Sequence, residues 1–138
     1  EEKIPSTTVP FMDYNGNLQI GRIYQSLGYP EKLREILEKV LIRKDVNKQM
    51  QMDVAKFYHF LLSDNSRAVE ICENILEKIP FDQDTFSLIV LILDADGKFT
   101  EAEEYLNEWL VKYPTDTVAR QLLTNIQQKK AAADTIRN

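Results

Sequence analysis

Residues 91–106 read LILDADGKFTEAEEYL, and three different structures compete for them. The centre, with Asp94, Asp96 and Gly97, looks like the opening of a calcium loop. The apolar run 88–93, LIVLIL, has the composition of a buried strand or of part of a membrane span. From Thr100 the sequence TEAEEYL reads as the start of a helix. Spacing decides among them. A calcium loop of the EF-hand type needs glycine at its sixth position and glutamate at its twelfth. Counted from Asp94, glycine falls at the fourth position and the twelfth is Tyr105. The apolar run is six residues long, whereas a spanning helix needs about 20.

The helical reading survives. Ile89, Val90 and Leu93 share one face at helical spacing. Gly97 provides the positive φ at which a helix turns off. Thr100 and Glu103 make T-x-x-E, the sequence signature of a capping box. The helix expected after it carries Ala102, Tyr105, Leu106, Trp109 and Leu110 on one side, and Pro114 stops it. The stretch is therefore the elbow of an αα-hairpin.

That elbow recurs. Ile20, Val54, Ile89 and Leu123 are spaced by 34, 35 and 34 residues, and Leu33, Ala68 and Ala102 by 35 and 34. Pro80 and Pro114 lie 34 apart, with Asp45 at the equivalent earlier place. A turn one residue longer before Ala68 accounts for each 35. The expected fold class is all-α: three hairpins over 14–47, 48–82 and 83–116, then a capping helix over 117–132. On that last helix Val118, Leu122, Leu123 and Ile126 form an apolar stripe, and residues 133–138 are expected to fray. Residues 1–13, with Pro5 and Pro10, read as an extended arm.

The period and its residues resemble the tetratricopeptide repeat, whose pattern runs L-G-x2-Y, A-x3-F, P. The first unit offers Ile20-Gly21-x2-Tyr24, Gly28 and Leu33-x3-Leu37. The second offers Val54-Ala55-x2-Tyr58, Ala68-x3-Cys72 and Pro80. The third offers Ile89-Val90-x2-Leu93, Gly97, Ala102-x3-Leu106 and Pro114. The units are degenerate, because Val40, Ile75 and Trp109 stand where the family has small residues, and Leu33 replaces another. The resemblance implies an αα-superhelix acting as a non-catalytic scaffold that binds a partner protein or peptide without a cofactor or metal. It also implies that the first helix of each unit lines an inner surface. The positions are Leu18, Arg22 and Gln25, then Met52, Lys56 and His59, then Ser87, Leu91 and Asp94. The equally open alternative is that Leu18, Met52 and Leu91 only cover core. A clamp for a chaperone's C-terminal carboxylate is disfavoured, since Asp53 and Asp84 at the matching positions repel it.

Catalytic chemistry finds little to work with. Of the 138 residues one is histidine, His59, and one cysteine, Cys72, so neither an internal disulfide nor a zinc-ligand pattern is available. Cys72 occupies an apolar position of the repeat, where a buried thiol is inert. Glu101, Glu103, Glu104 and Glu108 read as a solvated face. A net charge of -5 opposes nucleic-acid binding, which rests on basic surface. The chain opens at Glu1 without an initiating methionine, which suggests a processed protein or a piece of a longer one. A second reading follows from that. The repeats are similar to helical tails of some bacterial multispanning, glycosyltransferase-like membrane proteins, which implies an accessory domain held outside the cytoplasm by a membrane-anchored parent chain. The scaffold reading is compatible with a cytoplasmic location.

Overall fold

Three residues with positive φ close the three expected hairpin turns: Gly28 at +87°, Ser63 at +53° and Gly97 at +74°. The computed structural model describes residues 14–137, so the expected arm 1–13 lies outside the described residues. Among those described there are seven helices and no strand: α1 (Tyr14–Ser26), α2 (Pro30–Leu41), α3 (Lys48–Phe60), α4 (Asn65–Lys78), α5 (Gln83–Ala95), α6 (Phe99–Lys112) and α7 (Thr117–Arg137). The all-α class is as expected, and within each compact unit the packing of successive helices fits a helical repeat. None of the helices is long and apolar enough to cross a membrane.

The Gly97 turn is a Schellman motif. The Lys98 amide donates to the Leu93 carbonyl at 2.8 Å and the Gly97 amide to that of Asp94 at 3.1 Å. The Gly28 turn repeats both bonds, Tyr29 to Tyr24 at 2.8 Å and Gly28 to Gln25 at 3.1 Å. The Tyr24 and Tyr29 rings meet edge to face there, 6.4 Å apart. The middle turn, 61–64, is one residue longer than 27–29 and 96–98, as the spacing requires. Its Asp64 amide accordingly reaches back six residues, to the Tyr58 carbonyl. A Cβ on Gly97 would meet nothing within 4 Å, so the turn needs glycine for its backbone alone. Gly97→Val is expected to cost about 1–2 kcal/mol, the penalty of a side chain in the left-handed region. Urea denaturation reads this as a lower midpoint with an unchanged slope.

The capping box is a correction. Helix α6 begins at Phe99 with Lys98 as its N-cap and no capping side chain. The glycine turn delivers the chain straight into the helix, so Thr100 lies inside the first turn, and Glu103 instead accepts from Lys130 at 2.8 Å. Side-chain caps are found before α3, α5 and α7. Asn47 accepts from the Met50 amide, Asp82 from Thr85 and Asp116 from Ala119, at 2.9, 3.1 and 3.0 Å. These caps recur at 35 and 34 residues, the period of the turns.

By packing, the chain divides into two compact units, one ending at Asp64 and the other beginning at Asn65, so the expected unit 48–82 straddles the division. In the first unit α2 buries Leu33, Ile36, Leu37 and Val40, an i, i+3, i+4, i+7 stripe. Gly21 lets α1 come close: a Cβ there would stand 2.6 Å from Leu33 Cδ1. The larger Leu33 of the first repeat is thus matched by the loss of a side chain opposite it. Arg34 ties α2 to the turn after α3, pairing with Asp64 at 2.6 Å while its head lies 5.5 Å from the centre of the Tyr58 ring of α3. The Tyr58 hydroxyl donates to Glu38.

In the second unit α4 buries Ala68, Ile71, Cys72 and Ile75 at the same spacing. Helix α5 packs on both α4 and α6. It therefore buries residues around most of its girth, Phe86, Leu88, Ile89, Val90, Ile92 and Leu93 among them. Helix α7 packs on α6. Its buried face differs from the expected stripe: Ala119 and Ile126 are buried, Leu123 is half-buried, and Val118 and Leu122 are exposed. The helix also continues to Arg137, five residues past its expected end. Ala131, Ala132 and Ala133 are strong helix formers, and the Thr135 hydroxyl donates back to the Ala131 carbonyl at 3.0 Å.

Candidate functional site

The second unit carries a groove between α5 and α7. Its floor is built from Phe86 and Val90 of α5 with Leu106 and Trp109 of α6, and Val118 and Leu122 form the α7 wall. The hollow measures about 150 Å³. Sequence explains each wall. The double packing of α5 fixes Phe86 and Val90 inward. The rotation of α7 about Ala119 and Ile126 turns Val118 and Leu122 toward the opening rather than into core.

Each end of the groove is fastened by one aspartate. At the α7 start, Asp116 Oδ1 accepts from the Ala119 amide and Oδ2 from Trp109 Nε1 at 2.8 Å. The Ala119 amide first and the indole second hold this carboxyl below its ordinary range. At the other end Lys129 Nζ donates to both Asp94 oxygens, at 3.0 and 2.9 Å. Nearby Lys130, bonded to Glu103, lowers that carboxyl's pKa as well.

The chain matches no protein-family model and no curated protein.

The nine positions expected to line an inner surface separate into distinct environments. In the first unit Leu18 and Met52 are buried, at 7% and 5% exposure, so both belong to the core rather than to a binding face. Arg22 is exposed, while Gln25 is half-buried and donates to the Leu61 carbonyl at 3.4 Å. Lys56 and His59 are half-buried, and the His59 ring stands edge to face with Phe60 at 4.5 Å. In the second unit Ser87 lines the groove and Asp94 is held by Lys129. Leu91 lies between them on the same side of α5, one turn from each, and is 48% exposed. Of the nine positions, Ser87 alone lines the groove.

The α7 wall, with Val118 and Leu122, escaped the sequence reading. The signal was present in the fourth repeat position, Leu123, which extends the hairpin series into α7 and makes that helix a continuation of the array. Cys72 is fully buried, and burial, with the Glu73 charge behind it, pushes its thiol up to about 12. A thiol in that state is not a nucleophile at neutral pH. Among the described residues no three His, Cys, Asp or Glu side chains gather as a metal site.

Proposed function

We propose that the chain is a tetratricopeptide-like interaction module without catalytic activity of its own, and that the groove between α5 and α7 receives an apolar segment of a protein partner. One observation carries the reading. Val118 and Leu122 are 69% and 40% exposed and line a formed hollow, on a helix held by packing and by two aspartate contacts, and Leu91, 48% exposed, stands one turn from Ser87 of its lining. Large apolar side chains gathered beside a concave surface are what a recognition site offers, whereas scattered ones carry no such meaning. The apolar floor supplies affinity. Ser87 and Gln83 at the margin supply polar contacts to a peptide backbone.

The test is selection from a displayed library of short peptides on the folded chain, followed by affinity measurement against Leu122→Asp. This leucine is exposed, so circular dichroism of the variant should match that of the parent. Selected peptides should bind the variant about tenfold or more weakly, the effect of placing a charge against a buried apolar contact. Equal affinity for both chains, or no peptide selected above background, defeats the reading.

A further inference from the structure

A second hollow of about 220 Å³ opens on the α4 and α6 side of the same unit. Its apolar lining comes from Leu76, Pro80, Phe81 and Phe86, and its polar lining from Tyr105 and three glutamates, Glu73, Glu77 and Glu108. No lysine or arginine contributes to it. We propose that this hollow is a docking site for one basic side chain, lysine or arginine, of a protein partner, its aliphatic stem lying on the apolar lining and its cationic head among the three carboxylates.

The proposal rests on the combination of shape, lining and charge. Glu73 and Glu77 stand four residues apart on α4, a like-charge pair that costs helix stability unless a cation answers it. Among the described residues none of the three glutamates forms an ion pair. The Tyr105 hydroxyl donates to Glu73 Oε2 at 3.1 Å, which satisfies one oxygen and leaves the charge in place. Burial first and the Glu73 charge second hold the phenol above its ordinary pKa, so it remains a donor at neutral pH.

The lining also suits the rest of such a side chain. Lysine and arginine carry an apolar stem beneath a polar head and prefer sites that solvate the two differently. The adjoining aromatic cluster already accommodates a cation, since Lys112 Nζ lies 4.5 Å from the centre of the Phe81 ring. Phe81 itself is held at φ +62°, an uncommon conformation for a bulky residue, and stacks on Phe86 at 5.6 Å with the planes 6° apart. Phe81 and Phe86 thus form one continuous aromatic floor. At 220 Å³ the hollow is smaller than the roughly 300–1,000 Å³ of drug-sized ligand sites, which matches a single side chain. A metal ion is disfavoured because the carboxylates do not gather as a ligand set among the described residues.

The experiment is a titration of the ¹⁵N-labelled full chain with N-acetyl-arginine amide and N-acetyl-lysine amide. The neutral isostere N-acetyl-citrulline amide and tetramethylammonium serve as comparison arms. Saturable shifts are expected at Phe81, Tyr105 and Glu77 with the arginine or lysine probe, and not with citrulline. In the Glu77→Gln, Glu108→Gln double variant, whose exposed substitutions leave the fold intact, binding should weaken about tenfold, the loss of a charge-assisted contact. Citrulline binding as well as arginine, an unchanged affinity in the double variant, or no saturable shift each overturns the proposal. Tetramethylammonium binding as tightly as lysine overturns the role given to the stem. The Leu122→Asp variant should bind these probes normally, which separates this site from the groove.

Discussion

Trp109→Ala should destabilise the chain by about 3–5 kcal/mol, the range for deleting a buried aromatic side chain. Trp109 is 8% exposed and sits within ring-centre distances of 4.6 Å from Tyr113, 4.9 Å from Phe86 and 6.1 Å from Phe81. Removing the indole leaves three rings facing a void that rigid helices cannot close, and the cost of such a void grows with its volume. It also takes away one partner of Asp116, the carboxylate that caps α7. Thermal and urea unfolding should be followed by circular dichroism, because the substitution removes the tryptophan fluorophore. Trp109→Phe keeps most of the packing while losing the N–H donor, and should lie between the two. If Trp109→Ala unfolds within about 1 kcal/mol of the parent, well below the cavity range, the cluster does not hold α6 as described.

Ala68→Leu should cost about 1–3 kcal/mol by overpacking. Ala68 is wholly buried on α4. Its repeat equivalents are Leu33 and Ala102, both also wholly buried. Leucine is tolerated at the first of these because Gly21 vacates the space its Cδ1 occupies. Ala68 lies at 0% exposure on the buried stripe of α4 with Ile71, Cys72 and Ile75, and among the described residues no glycine vacates space for a leucine there. A midpoint unchanged in denaturant would show that the repeat alignment through Ala68 is out of register.

The helices and their turns were legible because they rest on local chemistry. Apolar spacing of three and four residues dictates α2 and α4, and positive φ dictates glycine at 28 and 97. The same logic located the middle turn, although Ser63 takes the glycine's place there. What was hidden depends on how helices are rotated against one another. Leu18 and Met52 satisfy an inner-surface register and a core register equally well in a single chain, and packing put them in the core. Helix α7 carries apolar residues on more than one side, so its sequence permits several rotations. Contact with α6 selects the one that buries Ala119 and Ile126 and leaves Leu122 at the groove. Capping was misplaced for a different reason. Thr100 and Glu103 have the right spacing for a box, but the Schellman turn had already started the helix. The true caps, Asn47, Asp82 and Asp116, recur with the repeat and were readable only once the turns were fixed.

Phe86 lines both hollows of the second unit. Were a guest on one side to shift that ring, it would alter the wall met by a guest on the other. Any such influence is mutual by thermodynamic necessity: if the first ligand alters the affinity of the second by some factor, the second alters the first by the same factor. One benzyl group would thereby join the two proposed contact points in a single linked equilibrium, in which a partner offering both an apolar stretch and a basic residue would be read as a pair.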